Sequence, residues 1–371
     1  MISLPVIAPA LPADQALPAQ LPIRLMIVDD SPIARAVLSR MLSNQKDMEV
    51  VALAGNADEA LDTLQRMQLD IVLLDVEMPG TSGLEALPEI LRRGRGARVI
   101  IVSSLAEDGA EVAVRALALG AADTLPKPGA GAFGGRFAEV LCERLRRIGR
   151  ACRQSGAAPA TQPAELVPVK IRPASDFRLG CLALGASTGG LHALSEFLRA
   201  LPTQISAPVL ITQHLPAVFM PFFARQIEAA SGRLARVAEH GVTLAPEQIL
   251  IAPGDAHLCL ERSGGVVRVQ LTHAPASSGC MPSVDTMLWS VSEIYGRNGL
   301  GVVFSGMGRD GLVGSARIVD RGGTILVQNQ QSSAVWGMPR AVAEAGLASA
   351  VLAPAELALR IAARAEGRAW K

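Results

Sequence analysis

The feature that most constrains this chain is a repeated switch between two hydrophobic periods. Short aliphatic runs at 25–28, 50–54, 71–74 and 99–102 alternate with amphipathic stretches at 33–42, 57–67 and 111–119. A run that short and that continuously apolar buries both of its faces, as a strand of a parallel sheet does. The stretches between carry helical spacing, so the alternation predicts βαβ units with helices on both faces of a parallel sheet. The pattern fades near residue 150 and resumes at 179, with apolar runs at 181–184, 209–212, 249–252, 266–271, 301–304 and 324–327. Residues 153–176 are rich in Ala, Pro, Gln and Ser without a sustained period, the signature of a linker. The expected organisation is a loose Pro- and Ala-rich leader (1–22), a first domain (23–150), a linker (151–178) and a second domain (179–371). Both domains are expected to be α/β, each a doubly wound parallel sheet.

Composition excludes several classes of function. Half of the 371 residues are hydrophobic and 19% are charged, enough to bury two cores. The formal net charge is +1, and no Lys/Arg block with interleaved aromatics is present, so nucleic acid is not the expected partner. The run Arg144, Arg146, Arg147 and Arg150 reads as the solvated side of a helix. Cysteines 142, 152, 181, 259 and 280 are scattered without a C-x-x-C pair, so neither a disulfide framework nor a zinc site is expected. A reducing, cytoplasmic setting fits. The leader lacks a basic n-region followed by a long apolar core, and no uncharged run approaches a bilayer span, so membrane insertion is not expected.

In doubly wound sheets, sites form at the carboxyl edge of the strands. Asp29 and Asp30 follow the first predicted strand, and Asp75 follows the third. Ser103 and Ser104 follow the fourth, and Lys127 lies in a Pro-Lys-Pro after the fifth. Acids at strand ends are often plain helix caps, and for Asp29 or Asp30 alone that explanation would suffice. Carboxylates gathered together repel, and their clustering makes sense around a hard cation such as Mg²⁺. Such a cation could orient a phosphoryl group for attack by Asp75, with Lys127 pairing with its charge.

This segment resembles the receiver domains of two-component response regulators, through Val28-Asp29-Asp30-Ser31, Leu74-Asp75-Val76-Glu77-Met78-Pro79, Ser103 and Lys127-Pro128. The resemblance implies a flavodoxin-like fold with Asp75 as phosphoacceptor, and Asp29, Asp30 and Asp75 as ligands of Mg²⁺. It also implies Ser103 as switch hydroxyl and Lys127 as phosphate sensor. Thr81-Ser82-Gly83 stands where Met-Asp-Gly is common, and Thr124 occupies a usually aromatic position, so the coupling of phosphorylation to the switch is expected to differ.

The second domain opens with Gly185-Ala186-Ser187-Thr188-Gly189-Gly190 between an apolar run and a helical pattern. Ser187 stands at the middle position of G-x-G-x-x-G and the P-loop lysine is missing, so a phosphate cradle is disfavoured. The run fits G-x-S-x-G, a sharp turn exposing a nucleophilic serine, although a simple N-cap serine explains the motif alone equally well. A nucleophilic serine needs a base and an orienter. Of histidines 192, 214, 240, 257 and 273, His214 follows the run 209–212 and should reach the same sheet edge. His192 reads as a helix-surface residue. Asp310, in a Gly-rich loop after the run 301–304, is better placed than Asp255 or Asp285.

The order Ser, His, Asp departs from that of α/β-hydrolases. It is similar to the catalytic domain of chemotaxis protein-glutamate methylesterases, through Gly-Ala-Ser187-Thr-Gly-Gly, Gln213-His214-Leu-Pro, 251–257, Pro282-Ser-Val-Asp285 and Gly306-Met307-Gly-Arg-Asp310-Gly. That resemblance implies a Rossmann-like serine hydrolase with Ser187 as nucleophile, His214 as base and Asp310 as orienter. Backbone N–H groups of Thr188 and Met307 would hold the oxyanion, and the hydrolase domain would need no cofactor. The implied substrate is a methylated glutamate, with glutamine as a second, on chemoreceptor helices, and the implied phosphodonor is a chemotaxis histidine kinase. Ser305 stands where the family often has Thr, and Met281 where a basic residue is frequent. Two other outcomes compete: a phosphate sink that uses only the receiver, and a DNA-binding regulator, for which no basic helix-turn-helix output is seen.

Overall fold

Most of the aliphatic runs become strands buried on both faces; the run 50–54 is only partly covered, with Leu53 exposed. The computed structural model describes residues 21–103, 107–127, 135–154, 171–174, 178–246 and 248–365. The leader, apart from Leu21 and Pro22, and the linker stretch 155–170 lie outside the described residues. In the first domain β1 (Ile23–Val28), β2 (Met48–Ala54), β3 (Ile71–Asp75), β4 (Arg98–Ser103) and β5 (Asp123–Pro126) alternate with α1 (Pro32–Ser43), α2 (Ala57–Arg66), α3 (Gly83–Arg93), α4 (Glu107–Ala118) and α5 (Arg136–Gln154). The parallel sheet has the order β2-β1-β3-β4-β5, so its order reverses between β1 and β3. Asp29 and Asp75 emerge at that switch point.

The helix starts follow local chemistry. Ser31 caps α1, with Pro32 at its first position, and Asn56 caps α2. Ser82, at a position where Asp is common, forms a reciprocal capping box with Glu85 on α3. Gly83 follows because a Cβ there would lie 2.0 Å from the Asp75 carbonyl oxygen. Thr124 is buried within β5.

The second domain is built from β6 (Cys181–Ala186), α6 (Gly190–Ala200), β7 (Val209–Gln213), α7 (Met220–Ser231), β8 (Ala235–Val237), β9 (Ile249–Ile251), β10 (His257–Ser263), β11 (Val266–Thr272) and α8 (Val284–Tyr295). It continues with β12 (Gly299–Val303), α9 (Leu312–Asp320), β13 (Thr324–Gln328), α10 (Met338–Glu344), β14 (Ala350–Leu352) and α11 (Pro354–Ala365). Seven strands form a parallel sheet in the order β14-β13-β12-β6-β7-β9-β8. The connections run outward in opposite directions from β6 and β12, which places the switch point between them.

The run 266–271 does not join this sheet. As β11 it pairs antiparallel with β10 in a separate hairpin. Its Val-Arg-Val-Gln-Leu alternation, with Val269 buried between exposed Arg268 and Gln270, is that of a half-buried strand. Strands β8, β10 and β14 were not foreseen. Two of them are only three residues long, too short to show a period.

The domains share an apolar core. Leu117 and Ala121 of the first belong to the same buried cluster as Leu191 and Leu194 of the second. Val335 and Met307 pack into the cluster built on Leu141, Leu145 and Ile148 of α5.

Candidate active site

The seven-stranded sheet places Ser187 after β6, His214 after β7 and Asp310 in the loop after β12, around one switch point. Ser187 N–H donates to the Ser305 carbonyl at 3.0 Å, and the Ser187 carbonyl accepts from Gly190 N–H and Gln213 Nε2 at 2.8 and 2.9 Å. The serine is thus pinned from both neighbouring strands. Gly189, the N-cap of α6, has φ 72°, and a Cβ there would lie 2.3 Å from that of Ala334, so the turn requires glycine. Among the described residues, the backbone N–H groups of Thr188 and Met307 have no acceptor.

His214 Nε2 lies 2.8 Å from Asp310 Oδ2, leaving Nδ1 as the other ring nitrogen. No hydrogen bond joins Ser187 Oγ to the ring here, although both residues line one cavity of about 350 Å³. Asp310 is buried and saturated with donors: Ser283 Oγ at 2.8 Å, Val284 N–H at 2.7 Å, and Asp285 and Gly311 N–H at 3.1 Å each. Burial opposes its charge, but His214 and the amides at the start of α8 outweigh burial and hold the carboxyl well below the usual range. Ser283 is itself held, because its N–H donates to Nδ1 of the buried His257 at 3.0 Å.

Asp285 does not meet His214. Its Oδ1 accepts from Gly314 N–H at 2.8 Å, and burial, with the Asp310 charge adding, pushes the carboxyl up to about 6. A carboxyl raised on folding gives stability below its unfolded value of about 3.9, lost as pH rises through about 6. Asp310 has the opposite sign: its contribution is present above the unfolded value and lost as pH falls through the depressed one. Asp285→Asn keeps an acceptor for Gly314 and removes the first effect. Its unfolding free energy should therefore fall less than that of wild type between pH 5 and pH 7.5, by about 1–2 kcal/mol, as chemical denaturation would measure. Identical pH profiles would contradict this.

In the first domain Lys127 Nζ lies 2.6 Å from Asp75 Oδ2 and 3.0 Å from Asp29 Oδ2. Oxygens of Asp29, Asp30 and Asp75 fall within 4.8 Å of one another. Burial, reinforced by the Asp29 charge, pushes the Asp75 carboxyl up, with Lys127 pulling against it. Burial also works against the Lys127 charge, but its two carboxylates hold the proton and raise its value. The three clustered carboxylates, two of them held by the Lys127 ammonium, suit a small hard cation. Ser103 ends β4, and its side chain lies outside the described residues.

The first domain covers the cleft of the second. Leu117, Ala122, Asp123, Val140, Arg144 and Arg147 line the same cavity as Ser187 and His214. The Ala122 carbonyl accepts from Gly189 N–H at 2.8 Å, two residues from Ser187. His192 Nδ1 lies 3.0 Å from the Ala118 carbonyl, and half-buried Arg98 donates to the Ser333 carbonyl at 2.9 Å. The arginine run is therefore not simply a solvated face. Arg144 binds Asp123 and the Thr124 carbonyl, Arg146 binds Asp47, and Arg147 reaches Glu143 and, at 3.2 Å, Met307 Sδ. Helical spacing identified the face but carried no signal of what packs on it. The same holds for His192, whose bond crosses to the other domain.

Two family models match the chain: the response regulator receiver domain over residues 25–132 and CheB methylesterase over residues 182–361. A protein-glutamate methylesterase/protein-glutamine glutaminase of Paramagnetospirillum magneticum is 39% identical over 377 residues, covering 95% of this chain and 99% of its own. One of Caulobacter vibrioides is 40% identical over 346 residues, covering 92% and 99%. The crystal structure of the Thermotoga maritima CheB methylesterase catalytic domain is similar at 31% identity with a TM-score of 0.49, covering 50% of this chain and 98% of that one. A receiver followed by a methylesterase domain, matched over nearly the full length of both, makes this chain a member of the protein-glutamate methylesterase/protein-glutamine glutaminase family.

Proposed function

We propose that this chain hydrolyses glutamate methyl esters on the cytoplasmic helices of chemoreceptors, and deamidates glutamine at such positions, under the control of Asp75 phosphorylation. The observation that carries the reading is the 2.8 Å His214–Asp310 pair in one cavity with the pinned Ser187. Ser187 Oγ attacks the ester carbonyl carbon while His214 takes its proton. Asp310, charged and immobilised, orients the ring and stabilises the imidazolium. The N–H groups of Thr188 and Met307 are the donors available for the oxyanion, and one such donor contributes roughly 10²–10³ in turnover. Collapse expels methanol, which takes the proton back from His214. Water then attacks the acyl-enzyme with His214 again as base, leaving the glutamate carboxylate and free Ser187. With glutamine the leaving group is ammonia.

In the receiver, an Asp75 carboxylate oxygen attacks the phosphorus of a phosphohistidine donated by a chemotaxis kinase, and the imidazole leaves. Asp29, Asp30 and Asp75 would hold Mg²⁺, which neutralises charge on the phosphoryl group when bound. Lys127, now on Asp75, is positioned to pair with the phosphoryl oxygens. Ser103 is the proposed switch hydroxyl. Losing the Lys127–Asp75 contact repositions β5, and β5 begins beside Ala122, whose carbonyl binds the turn carrying Ser187. Phosphorylation thereby favours a form in which the receiver leaves the cleft.

Among the described residues no helix is long and apolar enough to cross a membrane, and a cytoplasmic setting suits both substrate and kinase. The reading is tested by methanol release from a methylated receptor fragment incubated with the full chain and a small-molecule phosphodonor. No methanol under any phosphorylation state would sink it. A second expectation concerns the seat of the receiver. His192→Ala removes a bond of about 1 kcal/mol that exists only in the closed form, so the unphosphorylated rate should rise about fivefold. An unchanged rate would remove His192 from the latch.

A further inference from the structure

One cysteine stands apart from the other four. Cys142, Cys152, Cys181 and Cys259 are buried, whereas Cys280 is half-buried and lines the cavity that contains Ser187. A ring nitrogen of His214, Sγ of Cys280 and a carboxylate oxygen of Asp310 all lie within 4.8 Å of one another. We infer that this cluster is an inhibitory site for a soft divalent cation, zinc in the first place. Sequence spacing gave no sign of it, because the three ligands come from the loops after β7, β11 and β12.

The donor set decides the metal. Imidazole, thiolate and carboxylate are zinc ligands at about 2.0–2.3 Å, and the separations in the cluster close to a tetrahedral face with small side-chain movements. The hard cation suited to the all-oxygen Asp29, Asp30 and Asp75 cluster has little affinity for a thiolate. The two clusters in this chain therefore select different metals. Charge balances as well. Zn²⁺ with one carboxylate, one thiolate and neutral imidazole is net neutral, which suits a partly enclosed cleft, and binding releases the Cys280 thiol proton to solvent. Burial, with Asp310 adding, pushes that thiol up, so the uncomplexed group is a poor nucleophile and an unpromising redox sensor. A bound metal would occupy His214, the base Ser187 needs, and hydrolysis would stop.

Three proteins test the inference: the full-length wild type, Cys280→Ala and Ser187→Ala. Zinc should inhibit methanol release by wild type, reversibly on chelation. Losing even an outer-shell partner of a metal ligand costs roughly 10–100-fold in affinity, so Cys280→Ala should need at least about tenfold more zinc for half-inhibition relative to its own zinc-free rate. Cobalt(II) titration supplies a readout independent of activity. Wild type and Ser187→Ala should both show a near-ultraviolet thiolate-to-cobalt band, and Cys280→Ala should not. A missing band in wild type, a band persisting in Cys280→Ala, or equal zinc sensitivity in both would overturn the assignment. Because the band is read in Ser187→Ala, it stands or falls separately from the hydrolase reading.

Discussion

Ser187→Ala should lower methanol release from a methylated receptor by roughly 10⁴–10⁶-fold while leaving the fold and the Asp75 chemistry intact. The size follows from how completely the other groups depend on the nucleophile. In the proposed triad His214 has no proton to take without Ser187 Oγ, and Asp310 acts only through His214. Loss of any one therefore removes most of what all three supply, leaving the oxyanion donors and binding. Asp310→Asn should fall at the lower end of that range. It also leaves the amides of Val284, Asp285 and Gly311 facing a neutral group where they now stabilise a charge. A folded Ser187→Ala protein with wild-type turnover would show that another residue is the nucleophile. Asp75 phosphorylation by a small phosphodonor should be unaffected in either variant.

Much of this was legible in the sequence, for an identifiable reason. Parallel strands buried on both faces must be continuously aliphatic, and sites of such sheets collect at strand ends. The sequence alone therefore places Asp29, Asp75, Ser187, His214 and Asp310 at the ends of strands. The same logic favours Asp310 over Asp285 and Asp255 as the partner of His214, and Asp310 Oδ2 lies 2.8 Å from His214 Nε2. What escaped was contact between elements distant in sequence. Nothing in the spacing of Arg147 or His192 indicates that Met307 Sδ or the Ala118 carbonyl is the partner. The support of Asp310 by Ser283, and of Ser283 by His257, was equally hidden, because each link joins a different loop. The β11 strand carries a period of two that fits a half-buried antiparallel strand rather than a parallel one buried on both faces.

The second large effect concerns control. A receiver seated with Ala122 on Gly189 and Arg147 over the cleft leaves little room for a receptor helix at Ser187. If the closed form outweighs the open by about 99 to 1, complete opening raises the rate about 100-fold. A phosphodonor should thus stimulate wild type by about 10–100-fold, and Asp75→Ala should show no stimulation at all. Lys127→Ala should also uncouple the response, since it removes the proposed phosphate sensor, whose ammonium now contacts Asp75.

Rates alone do not say where the receiver is, and the Gly189 amide does. Its N–H donates to the Ala122 carbonyl across the domain boundary, so hydrogen exchange at that amide reports whether the receiver is seated. Exchange should be slow in unphosphorylated wild type, accelerate when phosphodonor is added, and stay slow in Asp75→Ala with phosphodonor. Protection of Gly189 that is unchanged by phosphorylation while methanol release rises would contradict the account.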